Sequence, residues 1–183
     1  GMLLLFLITI VFPLQAFAME NVEVSQESNV KISYHDGKTP LQGAEFFLYQ
    51  VAVKDANGNL IPAEGFEGYF GGGALSDAEQ WQSLVPELHQ YIREYNLSAM
   101  ANEKTDADGM AIFSDNGSPL PSGLYLVVGS RHRQNGYYYD TLPFLVMPTG
   151  NVLQAGPKSE KHPEPGDPGD PGTSIPPDEE IPD

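Results

Sequence analysis

The order of apolar and polar residues predicts β-strands over most of the chain. Residues 29–35 (NVKISYH) alternate between apolar and polar side chains, which is the period of a half-buried strand. Residues 44–53 (AEFFLYQVAV) are apolar at both parities, so we expect a strand that is covered on both faces. Asn57-Gly58 follows as a strong hairpin signal. Residues 124–130 (LYLVVGS) predict a second buried strand.

One segment has the period of a helix instead. Residues 76–95 begin with Ser76 and Glu79 at the spacing of a capping box, and Pro86 predicts a kink or a break. The apolar positions fall on one helical face and are Trp81, Leu84, Val85, Leu88, Ile92 and Tyr95. The glycine-rich residues 62–75 lack the Lys-Ser/Thr pair of a phosphate loop, so we interpret them as a hinge into this helix.

Extended segments return after residue 101 and complete the predicted fold. Asp108-Gly109 and Asn135-Gly136 are turn signals, a tyrosine-rich segment covers 137–150, and a short final strand is expected within 151–158. About seven strands separated by frequent turns predict an all-β protein. We expect a seven-stranded antiparallel β-sandwich of immunoglobulin-like architecture, with one helical insertion at about 76–95.

The two ends of the chain differ from this body. Residues 1–18 carry no charge, have an apolar run of signal-peptide length and end with small residues at Ala16 and Ala18, which predicts cleavage after Ala18 and export. A buried N-terminal element is the alternative. Residues 19–28 are a lead-in, and residues 159–183 are rich in proline, glycine and acids. We expect this tail to be an extended spacer from 159 onward, or simply a disordered acidic tail.

Composition excludes several classes of protein. The net charge is −16, and the residues after Lys158 contribute eight acids and one lysine, which argues against binding nucleic acid or an anionic membrane. The chain has no cysteine, so no disulfide stabilises it after export. Residues 29–158 are numerous enough to form one domain with its own core.

Three stretches carry a resemblance to a known family. They are LQGAEFFLYQVA (41–52), TDADGMAIFSDNGSPLPSGLYLVV (105–128) and YYYDTLPFLVMPT (137–149). In order and spacing they resemble the repeated signature of Cna B-type, prealbumin-like domains, which build the stalks and pilin subunits of Gram-positive surface proteins. The resemblance covers residues 30–158, with the helix as an insertion. It implies an extracellular, seven-stranded sandwich with a mechanical or adhesive role.

Many domains of that family form an intramolecular isopeptide between a lysine on the first strand and an asparagine on the last, assisted by a buried acid. Tyr34 occupies the place of the lysine and Gly129 the place of the acid, so we expect no isopeptide. Lys31, Asn151 and Glu45 are an alternative set. Lys31 has the opposite parity to the apolar residues of its strand, which favours a solvated side chain.

The resemblance also gives the tail a role. Ile181-Pro182-Asp183 resembles the first half of a sortase motif, which would continue with Thr-Gly, and the acidic spacer resembles a segment that crosses the cell wall. The resemblance therefore implies peptidoglycan as a partner through sortase, and a location on the cell surface.

The sequence contains no recognisable catalytic or metal-binding motif. The four histidines lie in four different segments, and the stretch at Asp55-Asn57-Asn59 lacks the glycine and glutamate of a calcium loop. We therefore expect no enzyme, no cofactor and no metal, and a structural or adhesive surface domain. The alternatives are an exported enzyme and a carbohydrate- or protein-binding module, whose candidate ligand surface is Tyr69, Phe70, Tyr137, Tyr138 and Tyr139.

Overall fold

The computed structural model describes residues 29–69, 78–148 and 152–165, and strands predominate in these ranges. The helices are α1 (Ala78–Ser83) and α2 (Val85–Glu94). The strands are β1 (Val30–Ser33), β2 (His35–Asp36), β3 (Thr39–Pro40), β4 (Glu45–Lys54), β5 (Leu60–Pro62), β6 (Ala101–Lys104), β7 (Met110–Phe113), β8 (Gly123–Gly129), β9 (His132–Gln134), β10 (Tyr137–Thr141), β11 (Phe144–Val146), β12 (Leu153–Ala155) and β13 (Ser159–Pro163). The predicted all-β class with a helical excursion is confirmed.

The central sheet contains the two strands that are most apolar in sequence. Its order is β11-β8-β4-β5, and β6 also pairs with β4. β4 and β8 are antiparallel from Phe46↔Gly129 to Val53↔Gly123, with a bulge between Gln50 and Ala52. β4 lies inside the sheet and is covered on both faces, as its lack of alternation predicted.

The second sheet pairs the first strand of the sandwich, β1, with its last, β12. Its order is β12-β1-β7, in which β1 is antiparallel to β7 but parallel to β12. The prediction of an antiparallel sandwich therefore holds for the other strand pairs described and is wrong for the pair β1–β12. Parallel strands cannot be joined by a tight turn, and here the chain between Ser33 and Leu153 forms the connection.

The third sheet corrects the predicted start of the spacer. β10 lies between β9 and β13, and β13 pairs antiparallel with β10 from Thr141↔Ser159 to Tyr137↔Pro163. Residues 159–163 are thus part of the folded unit. β13 is exposed and polar, so it has no apolar periodicity by which the sequence could have indicated a strand. Asn135 and Gly136 form the predicted β9–β10 turn with positive φ angles of 54° and 77°.

Apolar side chains form two cores, one on each face of the central sheet. Phe46 and Leu48 of β4 join the first core with residues of β1 and β7. Val51 and Ala52 join the second core with residues of the two helices. Successive residues of β8 alternate between the two cores: Tyr125 belongs to the first core, and Leu124 and Leu126 belong to the second.

The helical segment covers the second core, as predicted. Trp81, Leu88 and Ile92 are buried there, and Leu84 packs against the same cluster. The break between α1 and α2 falls at Leu84, and Pro86 lies in the first turn of α2, where its missing N–H is tolerated. The expectation for Tyr95 was wrong, because this residue follows the end of α2 and its side chain is 59% exposed. Ser76 lies outside the described residues.

Candidate functional site

The three adjacent tyrosines of β10 do not form one ligand platform. Successive residues of a strand point to opposite faces, so Tyr137 and Tyr139 share one face and Tyr138 lies on the other. Tyr139 is only 3% exposed and belongs to the first core. Tyr137 is 38% exposed. The predicted surface is therefore divided between the two faces of the third sheet.

On the inner face, Tyr139 takes part in a polar junction. Its hydroxyl donates a hydrogen bond to Asp36 Oδ2 at 2.9 Å, and the ammonium of Lys161 lies 2.5 Å from the same oxygen. The Lys161 ammonium also lies 4.1 Å from the ring centroid of Tyr137. Asp36 therefore connects β2, at the end of the first long extended segment, with β10 and β13.

The electrostatics of this junction favour an ion pair. The hydrogen bonds from Lys161 and from Tyr139 lower the pKa of Asp36, and the hydrogen bond to Asp36 raises the pKa of Lys161. Burial raises the pKa of Tyr139, and its hydrogen bond to Asp36 adds to this rise. Both charged side chains are more than a third exposed, so solvent and salt screen their attraction.

On the outer face, Tyr138 is covered by neighbouring strands. Its ring stacks on His162 of β13 with centroids 4.9 Å apart, and the Arg131 guanidinium lies 4.4 Å from its centroid. Arg131 is fixed by two hydrogen bonds of 2.8 Å to Asp140. The sequence predicted a hairpin and a spacer here and did not indicate these pairs. The available signal was composition, since two arginines and three tyrosines lie in 131–140 and two acids lie in 160–164.

Glu164, just after β13, makes a further contact with the β9–β10 hairpin. Arg133 Nη1 donates a hydrogen bond to its carboxylate at 3.0 Å, and the Glu164 backbone N–H donates to the carbonyl of Gly136. We use the name clasp for β13 and Glu164 together with their partners Asp36, Arg133 and Tyr138. The clasp combines charged and aromatic contacts that join β13 to β2, β9 and β10.

Tyr69 belongs to a different part of the domain. Its hydroxyl donates a hydrogen bond to Glu87 at 3.0 Å, and its ring meets Tyr91 edge-to-face at 5.2 Å. Burial raises the pKa of Tyr69 to about 12, with a smaller effect from Glu87. Tyr69 packs against the second core, whereas Tyr139 lies in the first, so the predicted residues are not brought together. Phe70 lies outside the described residues.

A cavity of about 370 Å³ opens beside this helix-side cluster, between β4, the loop at 63–66 and the segment at 97–100. Its walls include Tyr49, Phe66 and Met100, and Glu64 is the only carboxylate among its described lining residues. Burial raises the pKa of Tyr49. The described lining thus holds two titratable side chains, Glu64 and Tyr49, and contains no histidine, lysine or further carboxylate.

The position of the family's isopeptide is filled by packed side chains. Tyr34 is 1% exposed and meets Phe46 edge-to-face at 5.2 Å. Thr141 Oγ1 donates a hydrogen bond of 2.9 Å to the Tyr34 hydroxyl. A Cβ atom at Gly129 would lie 2.8 Å from Thr141 Cβ and 3.0 Å from Phe46 Cε1. The described part of this site thus has neither the lysine nor the acid of an isopeptide reaction.

The remaining candidates are placed as follows. Lys31 alternates with buried Val30 and Ile32 and is partly exposed, while Asn151 lies outside the described residues. The signal residues Ala16 and Ala18 and the sorting residues Ile181, Pro182 and Asp183 also lie outside them. Within 29–69, 78–148 and 152–165, no three His, Asp or Glu side chains group to hold a metal. In the same ranges, no helix has the length and apolarity needed to cross a membrane.

No family model matches the chain, and no curated protein is similar to it. The major pilin SpaD from Corynebacterium diphtheriae is 17% identical, with a TM-score of 0.43 over 76% of this chain and 31% of that chain. The SpaB basal pilin from Lactobacillus rhamnosus GG is 19% identical, with a TM-score of 0.47 over 72% and 95%.

The major pilin RrgB from Streptococcus pneumoniae is 14% identical, with a TM-score of 0.36 over 72% of this chain and 30% of that chain. The chain thus spans about a third of the length of SpaD and RrgB and nearly all of SpaB. These similar structures are pilins.

Proposed function

We propose that this chain is a non-enzymatic, load-bearing domain of the bacterial cell surface, of pilus or wall-anchored type. The observation that carries the proposal is the parallel pairing of β1 with β12. Its register runs from Val30↔Leu153 to Ile32↔Ala155 and joins the first and last strands of the sandwich. A tension along the chain would load β1 directly and would reach β12 through β13.

The parallel direction decides how such a load is shared. A pull on the chain before β1 and on the chain after β12 draws the two strands past each other along their own axes. The hydrogen bonds of the pair then carry the load together. In a hairpin pulled apart at its open end, by contrast, the bonds break one after another, each at low force. Buried Val30 and Ile32 add core contacts that must also slide.

Export and attachment complete the proposal. The apolar segment at 1–18 acts as a signal peptide, and the proline-, glycine- and acid-rich residues after Pro165 act as a spacer through the wall. Ile181-Pro182-Asp183 begins a sorting motif that sortase links to peptidoglycan. The resemblance to wall-anchored domains supports this part of the proposal.

Single-molecule pulling tests the mechanical role. The chain has no cysteine, so cysteines introduced as handles at Asn29 and Pro165 are the only attachment points. The control places handles at Arg131 and Asp140, at the open end of the β9–β10 hairpin, which opens bond by bond. We expect a clearly higher rupture force for the terminal handles. Equal forces in the two geometries would refute a load-bearing role.

Cell fractionation tests the attachment. We expect the full-length product of the gene to be covalently bound in the wall fraction of cells with active sortase. Deleting sortase should release it into the medium or the membrane fraction. A wall signal that is unchanged without sortase, or a gene that does not continue with Thr-Gly after Asp183, would contradict the anchoring proposal.

A binding role is the second candidate, favoured by one exposed group of rings. Tyr69, Tyr91 and Tyr95 follow one another with centroids 5.2 Å and 4.4 Å apart, and Tyr95 is 59% exposed. Such rings can stack on sugars. A glycan array with the wild-type domain and the Tyr95→Ala variant tests this role, with Tyr137→Ala as the matched control. Binding that depends on Tyr95 alone would support it, and no binding would exclude it for the arrayed glycans.

A further inference from the structure

We infer that β13 is a separable strand: the clasp opens as a unit while the sandwich remains folded, and an ion pair between Lys161 and Asp36 controls its opening. The proposed function does not require this conformational change. Only the role of the clasp under tension rests on the proposed load-bearing function.

Burial is the first support for the inference. Of the five residues of β13, four are exposed and His162 is partly buried. None of them belongs to either core. Detaching β13 therefore opens no core and exposes little apolar surface, whereas detaching β1 would expose Val30 and Ile32. Segments with few buried contacts open locally at a lower free energy than the whole domain.

The contacts that hold β13 are the second support. Apart from the backbone ladder to β10, they are the ion pairs Lys161–Asp36 and Arg133–Glu164, the Lys161 ammonium over the Tyr137 ring, and the stack of His162 on Tyr138. The Glu164 backbone N–H also donates to the Gly136 carbonyl. The charged side chains of these pairs are 35–63% exposed. Exposed pairs are individually weak and are screened by salt, so the clasp depends on several of them at once.

β10, the strand to which β13 is paired, does not depend on β13 for its place. β10 also pairs with β9 from Tyr137↔Gln134 to Tyr139↔His132, and Tyr139 anchors it in the first core. The connection to β12 is Gly156, Pro157 and Lys158. One backbone hydrogen bond, from the Leu142 N–H to the Lys158 carbonyl at 2.9 Å, joins it to the segment after β10 and must also break when β13 detaches.

The pair Lys161–Asp36 joins the first extended segment to the last strand of the described chain, as the covalent bond of the resembled domains joins first and last strands. Here the link is ionic and reversible. Under tension applied after Pro165, the clasp would open first. The chain would then lengthen by the residues of β13 and their connection, while the parallel pair β1–β12 continued to hold.

Hydrogen exchange with mass spectrometry tests the inference on the full mature chain under native conditions. We expect the peptide covering 159–164 to exchange through an opening that leaves peptides of β4 and β8 protected. The Lys161→Met variant keeps the chain length and removes the charge. It should raise the exchange rate of that peptide by about two- to fivefold, the range expected for loss of one exposed ion pair.

Lys54→Met is the matched control, because Lys54 is an exposed lysine on β4 and is far from β13 in the strand order. It should leave exchange of 159–164 unchanged. Added salt should reproduce part of the Lys161→Met effect in the wild type and little of it in that variant. The inference is overturned if 159–164 exchanges only as slowly as β4 and β8, or if Lys161→Met leaves its exchange unchanged. Equal acceleration of the core peptides would also overturn it.

Discussion

The hydroxyl of Thr141 donates a hydrogen bond of 2.9 Å to the hydroxyl of Tyr34, in a buried position beside Gly129. In the family that this sequence resembles, a lysine and an acid belong at the places of Tyr34 and Gly129. At these positions the buried ring of Tyr34, just after β1, packs near Gly129 of β8, and this close packing makes Gly129 a packing requirement.

Substitution of Gly129 by alanine should therefore destabilise the domain. The added methyl group would lie 2.8 Å from Thr141 Cβ and 3.0 Å from Phe46 Cε1, so strands or side chains must shift. We expect a loss of about 1–3 kcal/mol in the free energy of unfolding, measured by urea denaturation. Gly156→Ala is the control, since its methyl group would meet only the Ser33 carbonyl at 3.9 Å, an ordinary van der Waals distance, and it should change stability by less than about 0.5 kcal/mol. Equal effects would contradict this packing account.

The mature domain should contain no internal isopeptide. Tyr34 cannot act as the amine, and Gly129 cannot act as the acid. The Lys161–Asp36 contact should also remain ionic, because formation of an amide needs a neutral amine and the pKa of Lys161 is raised. Intact mass spectrometry after denaturation should give the full sequence mass. A deficit of one ammonia or one water would show that a cross-link forms.

Two truncations should separate the folded C-terminal strand from the spacer. Ending the chain after Pro165 removes residues that the sequence predicts to be a spacer, so the melting temperature should not change within error. Ending it after Lys158 removes β13 and its pairs with Asp36 and Tyr138, so the melting temperature should fall by a few degrees. The pair of thermal melts decides the point. An equal fall in both, or none in either, would contradict the boundary at residue 165.

The stability contributed by Asp36 should disappear in acid. Its folded pKa lies below the ordinary value of 3.8, mainly because of Lys161, so its contribution is present above 3.8 and is lost as the pH falls through the folded pKa. The hydrogen bond to Asp36 raises the pKa of Lys161 above 10.5, so its contribution persists below 10.5 and is lost as the pH rises through the folded pKa.

Urea midpoints of the wild type and Asp36→Asn, measured from acid to alkaline pH, test this expectation. The variant should be less stable by a constant amount across neutral pH, and the two curves should converge in acid below 3.8. Asp108→Asn is a control, because the Asp108 carboxylate is exposed and has no ion pair among the described residues. A difference that is largest in acid would contradict the assigned ion pair.

The sequence by itself determined the elements whose side chains make a simple pattern. Period-two alternation identified β1, apolar residues at both parities identified the doubly covered β4, and the period of a helix identified the cover of the second core. Asn135-Gly136 placed a hairpin, because few residue pairs tolerate positive φ in succession. These features depend on neighbours within a few residues of the chain.

The tertiary structure decided what depends on residues far apart in sequence. Two pairings follow from the path of the whole chain: β12 lies parallel beside β1, and β13 pairs with β10. No local sequence pattern indicates either pairing. β13 is held by cross-strand contacts and not by burial. Asp36 contacts Lys161, 125 residues away, and Tyr138 stacks on His162. Such charge and ring pairs form only after folding has brought the strands together.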